Sequence, residues 1–138
     1  MKKRELINKL AETGLRVTPQ RLLVYEIILK HNNHPTAEEI MAYVKKKFPN
    51  IAIGTIYKII DSLIEKKLIT RVKTDKDIMR YEAVLSHHHH LYCSKSDIVI
   101  DYFNQDIDKI VTDYFNKNKI PDFEIEDIKL QIIGCFKK

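Results

Sequence analysis

Two cysteines, Cys93 and Cys135, are all that the 138 residues contain. They form no C-x-x-C pair, so a disulfide framework is excluded and a reducing compartment is expected. Long apolar runs are also missing: no stretch approaches the roughly 18 residues that a membrane-spanning helix needs. No apolar segment with a cleavage site follows the basic start Met1-Lys2-Lys3-Arg4, which speaks against a secretory leader. Repeats and low-complexity linkers are lacking as well. The expectation is a cytoplasmic protein of one domain, or of two small ones sharing a boundary. Its 44% apolar residues suffice for a core, and its 31% charged residues keep it soluble.

What the chain has instead is histidine concentrated in one place. His87, His88, His89 and His90 are consecutive in a stretch patterned as a β-strand, with Glu82 before it, Asp101 after it and His34 far upstream. A strand alternates its faces, so His88 and His90 point one way while His87 and His89 point the other. Each face then carries an H-x-H pair. Imidazole with carboxylate and without thiolate is ligand chemistry for Fe(II), Mn(II), Zn(II) or Ni(II) rather than for a soft metal. The plain alternative is an exposed polar strand that is merely rich in histidine. An expression-tag remnant does not suit an internal run of four.

Charge is divided unevenly. Residues 1–80 hold 17 basic and 9 acidic side chains, a balance of +8, whereas residues 81–138 hold 7 and 10, a balance of −3. A basic half joined to an acidic, histidine-bearing half suggests a polyanion-binding module fused to a cation-binding one. Ordinary solvated surfaces are the bland reading of the same excess.

The basic half is patterned as punctuated helices. Leu6, Ile7, Leu10 and Ala11 make a short apolar stripe that Gly14 ends. Thr18 is an expected N-cap with Pro19 at the first helical position, followed by the stripe Leu22, Leu23, Ile27 and Ile28. His31-Asn32-Asn33-His34-Pro35 is a loop, and Pro35 keeps His34 out of helical geometry. Thr36 and Glu39 form a capping box for a helix running to about Phe48, broken by Pro49-Asn50. A further helix covers residues 52–66, with Ile56, Ile59, Ile60, Leu63 and Ile64 on its apolar face. Two short strands follow at 68–73 and 78–84, hinged at Asp75-Lys76-Asp77. Helix, turn, helix and β-hairpin is the order of a winged helix, whose second helix would enter a DNA major groove. Its outward residues Thr55, Tyr57, Lys58 and Asp61 are types able to reach bases or phosphates.

Beyond the histidines, residues 98–102 read as a strand, and Ile107, Ile110, Val111, Tyr114 and Phe115 as a helix face. A last strand follows Pro121-Asp122. Phe123 and Ile125 share one of its faces, and Ile128, Leu130 and Ile132 keep the period shifted by one, as a β-bulge around Glu126-Asp127 would make them. About 50 residues with one helix and three strands bury little surface alone, so a second copy of the chain is the expected cover.

Five stretches then read together: Leu15-Arg16-Val17-Thr18-Pro19-Gln20-Arg21, His34-Pro35-Thr36-Ala37-Glu38-Glu39-Ile40, Phe48-Pro49-Asn50-Ile51, Thr55-Ile56-Tyr57-Lys58 and His87-His88-His89-His90-Leu91. In order and spacing they resemble the ferric uptake regulator (Fur) family, across nearly the whole chain. The resemblance implies an α+β protein: an N-terminal winged helix-turn-helix DNA-binding domain over residues 1–84 and a small C-terminal α/β metal-binding dimerisation domain over 85–138. It implies a homodimer that represses genes by binding A/T-rich palindromic DNA when loaded with metal. It assigns the regulatory ion, Fe(II) or Mn(II) with Zn(II) as a further option, to His34, Glu82, His88, His90 and Asp101. One ion holding all five would pin one domain against the other and favour the arrangement it binds best. Arg16 and Arg21 join Thr55, Tyr57 and Lys58 as expected DNA contacts.

The chain departs from the family where structural zinc is usually bound. Two C-x-x-C pairs are replaced by Cys93-Ser94-Lys95-Ser96 and Gly134-Cys135-Phe136-Lys137, which excludes zinc held by four thiolates. Dimer stability is then expected from apolar packing. His87, His89 and Asp108 remain as a possible second metal site, although Ile128 stands where the family commonly has a histidine ligand. Aspartate at position 101 resembles the peroxide-responsive branch, in which metal-bound histidine is oxidised, and this would make His34 and His88 the oxidisable ligands. Glu82 is more typical of the iron-uptake branch, so an iron-availability repressor stays open beside the peroxide sensor. A non-haem iron enzyme with a two-His, one-carboxylate triad would explain His88, His90 and Asp101, and a metal buffer would explain the histidines. Both leave the basic helical half without a task.

Overall fold

The computed structural model describes residues 2–31, 34–74, 76–84 and 87–137. The loop expected at His31 to Pro35, the hinge at Asp75 to Asp77 and the junction at 84/85 fall partly outside them. The chain divides into two compact units, Met1–Leu85 and Ser86–Lys138. Both α-helices and small sheets are present, and the fold is α+β.

The first unit contains α1 (Lys3–Glu12), α2 (Pro19–Lys30), α3 (Ala37–Val44), α4 (Ile53–Glu65), β1 (Ile69–Lys73) and β2 (Met79–Ala83). Gly14 follows α1 with φ of 84°, a left-handed conformation that glycine adopts without steric cost. At the start of α2 the Thr18 hydroxyl accepts from the Arg21 N–H at 3.1 Å, with Pro19 in the first turn. The capping box of α3 is complete: Glu39 N–H donates to Thr36 Oγ1 at 3.1 Å, and Thr36 N–H donates to Glu39 Oε1 at 3.3 Å. Helix α4 begins at Ala52 with no side-chain cap. That omission costs about 1 kcal/mol. It is outweighed by the burial of Ile56, Ile59, Ile60 and Leu63, each contributing roughly 1.5–3 kcal/mol.

Two expectations for this unit are corrected. Helix α2 is not a simple amphipathic stripe: Val24 and Tyr25 are fully buried and Leu23 only partly, because α2 packs against α1, α3, α4 and β2 at once. Helix α3 ends at Val44 rather than near Phe48. There the bonds shorten to three-residue spacing, with Lys46 N–H to the Tyr43 carbonyl and Lys47 N–H to the Val44 carbonyl. Phe48 precedes Pro49, which disfavours helical geometry at that residue.

Strands β1 and β2 form an antiparallel hairpin, pairing Ile69 with Ala83 and Lys73 with Met79. An isolated bridge joins Thr36 to Arg80. The Tyr81 N–H also donates to the Pro35 carbonyl at 3.0 Å. The hairpin is thereby tied to the loop before α3.

The second unit is a three-stranded sheet with one helix. Strand β3 (His89–Cys93) lies between β4 (Val99–Tyr102), antiparallel to it, and β5 (Gln131–Gly134), parallel to it. Helix α5 (Gln105–Lys117) is capped by Asn104, whose Oδ1 accepts from the Ile107 N–H at 3.0 Å. The strand and bulge expected across residues 123–130 are corrected: that stretch is irregular, and β5 starts only at Gln131. Parallel pairing begins with His90 opposite Gln131, one residue into β3, and the ladder enters through the His90 N–H, which donates to the Leu130 carbonyl at 3.0 Å. Among the described residues no helix is long and apolar enough to cross a membrane.

Candidate metal centre

In the second unit the β3–β4 register sets His90 opposite Asp101. His88 lies just before β3, and its Nε2 is 3.4 Å from Asp101 Oδ1; the Nε2 of His90 is 3.8 Å from the same oxygen. The two imidazoles stand edge to face with centroids 5.0 Å apart. Phe103 covers His88 at 5.5 Å. Both histidines are buried while Asp101 stays exposed. Two nitrogen donors and an oxygen thus converge at one edge of the sheet. The strand begins two residues later than expected, yet alternate residues still face alternate sides.

The first unit carries a second imidazole–carboxylate pair. His34 Nε2 lies 3.0 Å from Glu82 Oε2, and the residues are only 3% and 7% exposed. Burying a carboxylate costs several kcal/mol unless it is held by opposite charge and hydrogen bonds. His34 has φ of 55°. For a non-glycine residue that left-handed conformation costs about 1–3 kcal/mol. It is maintained by Arg80, whose Nη1 donates to the His34 carbonyl at 3.0 Å while lying 3.5 Å from Glu39. Arg80 was not legible as a functional residue; its position two residues before Glu82 was the only sign. All these donors are nitrogen and oxygen, which suits a first-row divalent ion.

On the other side of the histidine run, nitrogens of His87 and His89 and an oxygen of Asp108 lie within 4.8 Å of one another. Hydrogen bonds from His89 first, and then His87, hold the Asp108 carboxyl below its usual range. Asp127, which sequence reasoning missed, lies 3.2 Å from His87 Nδ1. The cluster walls one end of a cleft of about 760 Å³, whose apolar lining includes Val111, Phe115, Phe123 and Ile128.

The expected DNA contacts are presented unequally. Tyr57 and Lys58 are exposed on α4, and Thr55 is half-buried. The Tyr57 hydroxyl donates to Glu38 on α3 at 3.3 Å, and burial together with Glu38 pushes its pKa up. Asp61 pairs with Arg71 at 3.4 Å. Arg16 is exposed, whereas Arg21 donates from Nη1 to the Arg16 carbonyl and so holds the loop that presents Arg16.

The two cysteines differ in setting. Cys93 is buried, and a hydrogen bond from the Ser96 side chain, with others from the backbones of Phe136, Ser96 and Lys95, lowers its thiol to about 6. Cys135 is exposed, with its sulfur 4.0 Å from Ser94 Oγ.

Residues 12–133 match the model of the Ferric uptake regulator family. A peroxide operon regulator of Bacillus subtilis is 28% identical over 139 residues, covering 98% of this chain and 94% of that protein. A peroxide-responsive repressor PerR of Staphylococcus epidermidis is 26% identical over 134 residues, covering 97% and 87%. Among solved structures, the Helicobacter pylori ferric uptake regulator, described as having three functional metal binding sites, superposes with a TM-score of 0.86. It covers 99% of this chain and 93% of that one at 20% identity, a likeness of fold.

Proposed function

The chain belongs to the ferric uptake regulator family, and from that premise we propose that it is a metal-dependent transcriptional repressor that responds to peroxide. The observation that carries the reading is the pair of imidazole–carboxylate sets with buried rings, His34 with Glu82 and His88 and His90 with Asp101. We take all five side chains as donors to one divalent ion, Fe(II) or Mn(II), with Zn(II) also suited to the set. Winged helix α4 is the DNA-reading element, with Tyr57 and Thr55 directed at bases and Lys58 and Arg16 at phosphates. Arg21 acts through the loop it braces. The partner is A/T-rich palindromic DNA, bound by a cytoplasmic homodimer. Because the metal-bound arrangement is the DNA-competent one, a ligand set that loses donor strength releases DNA. Fe(II), when bound, reduces hydroperoxide beside the ring carbons of its ligands, and Mn(II) does not.

His34 and His88 are the rings exposed to that chemistry in this reading. The His34 backbone is held by Arg80 and its ring faces Glu82, and the His88 ring lies against Phe103. Similarity to two peroxide regulators supports the choice. A repressor governed by iron availability is the second reading, favoured by the glutamate at position 82.

The test is a comparison of Fe(II)-loaded and Mn(II)-loaded protein after brief exposure to dilute hydrogen peroxide. The Fe(II) form gains one oxygen atom on peptides bearing His34 or His88 and loses A/T-rich duplex DNA on a gel, while the Mn(II) form does neither. An Fe(II) form that stays unmodified and keeps its DNA makes the iron-availability repressor the better reading.

A further inference from the structure

The face of the histidine run turned away from Asp101 has donor types and spacing that would suit a second ion, yet its hydrogen-bond directions do not. The backbone N–H of Leu130 points at His89 Nδ1 from 3.0 Å. An amide N–H only donates, so this ring nitrogen presents its lone pair and carries no proton. The neutral ring then keeps its proton on Nε2. That atom faces Asp108 Oδ1 at 2.5 Å, where a carboxylate accepts it. A metal ion needs a ring lone pair, and an imidazole that ligates metal shows the reverse pattern, donating its other N–H to an acceptor. In His89 one lone pair is already engaged and the other nitrogen is protonated.

His87 is held between two carboxylates. Its Nε2 lies 3.2 Å from Asp108 Oδ1 and its Nδ1 lies 3.2 Å from Asp127 Oδ1. Carboxylate oxygens only accept, so whichever nitrogen of His87 carries the proton has one of them to receive it. Asp108 Oδ1 thus lies against both imidazoles. Leu130 completes the closure from the backbone: while its N–H holds the His89 ring, its carbonyl accepts from the His90 N–H at 3.0 Å.

We propose that His87, His89 and Asp108 hold no metal and form a hydrogen-bonded clasp, so that each chain takes up one divalent ion rather than two. The clasp ties the start of β3 to the first turn of α5 and to the stretch entering β5. Because neighbouring residues of the run face opposite ways, fixing the His89 ring on one side fixes the directions of His88 and His90 on the other. His89 and Asp108 are in this sense positioning residues for the regulatory set. The single-ion count rests on the function proposed above; the clasp itself does not.

The test uses the full chain with Zn(II), Mn(II) and two substitutions of Asp108. Asp108→Asn keeps an oxygen that accepts from His89 but removes the charge a metal would want. Native mass spectrometry with Zn(II) is expected to show one ion per chain in the wild type and in Asp108→Asn, and none in Asp101→Ala. Asp108→Ala, which opens the clasp, is expected to weaken Mn(II) binding about tenfold with the count still at one. In parallel, nitrogen–proton correlation spectra with excess Zn(II) should find His89 still protonated on Nε2. A second ion that disappears in Asp108→Asn, or a His89 ring that loses its Nε2 proton on adding Zn(II), overturns the proposal. If Asp101→Ala leaves the wild-type count unchanged, the regulatory assignment fails instead, and the His89 proton still decides the clasp.

Discussion

The two units bury their side chains to very different extents. In the first, Leu10, Ile40, Ile56, Ile60 and Leu63 are wholly enclosed, and one continuous apolar cluster reaches from α1 to β2. In the second, the enclosed side chains among the described residues are few: Tyr92, Cys93 and Val99, with His88, His89 and His90 beside them. Helix α5 buries none of its residues, and Ile110 and Phe123 stand 66% and 65% exposed. Histidine does in one unit what isoleucine does in the other. Imidazoles fill the space and pair with carboxylates, so the second unit is organised around polar groups at the expense of a dry core. So much exposed apolar surface in one small unit marks an interaction face. We take a second copy of the chain as its cover.

The largest effect should separate the two kinds of interior. Ile60→Ala in the first unit is expected to cost roughly 2–5 kcal/mol of stability, read by urea denaturation. A loss as small as that of a surface substitution would break the contrast. Next comes the exposed face: Tyr114→Ala on α5 is expected to leave the first unit's unfolding unchanged while raising the dimer dissociation constant about tenfold, near 1.4 kcal/mol. Sedimentation equilibrium reads it directly. If self-association does not move, α5 is not the face that the second copy covers.

Smaller effects sharpen the comparison at the helix starts, where both units use the same device. Thr18→Ala and Asn104→Ala each remove a hydroxyl or amide oxygen that accepts a first-turn N–H, at 3.1 and 3.0 Å. Each is expected to cost about 1 kcal/mol. Hydrogen exchange localises the loss, to α2 in one variant and α5 in the other. Smallest is Lys58→Ala, which should weaken binding evenly across DNA sequences and reduce the salt slope by about one.

The parts that could be read along the chain were those governed by near neighbours. Thr18 with Pro19, Thr36 with Glu39, and the alternation that separates His88 and His90 from His87 and His89 all depend on spacings of one to three residues. Pro35 also foretold a non-helical His34. Long-range geometry was hidden. Nothing local shows that α2 is surrounded, that Arg80 reaches back to the His34 carbonyl, or that Leu130 points its N–H at His89. Residues 123–130 misled for a related reason. Their alternating apolar pattern suits a strand, but a strand needs a partner ladder, and β3 offers one only from His90 onward. The second metal set was legible as residue types, whereas the hydrogen-bond directions that decide its chemistry depend on a backbone group 41 residues away.

The central claim is that ligands drawn from both units make DNA binding depend on metal. Fluorescence anisotropy of an A/T-rich palindromic duplex, titrated with the full chain in Mn(II) and in chelator, addresses it most directly, with His34→Ala and Asp101→Ala run alongside. The wild type should bind about 100-fold more tightly with Mn(II), near 2.7 kcal/mol, and both variants should bind weakly in either condition with an unchanged salt slope. Equal wild-type affinity with and without Mn(II) would contradict the account.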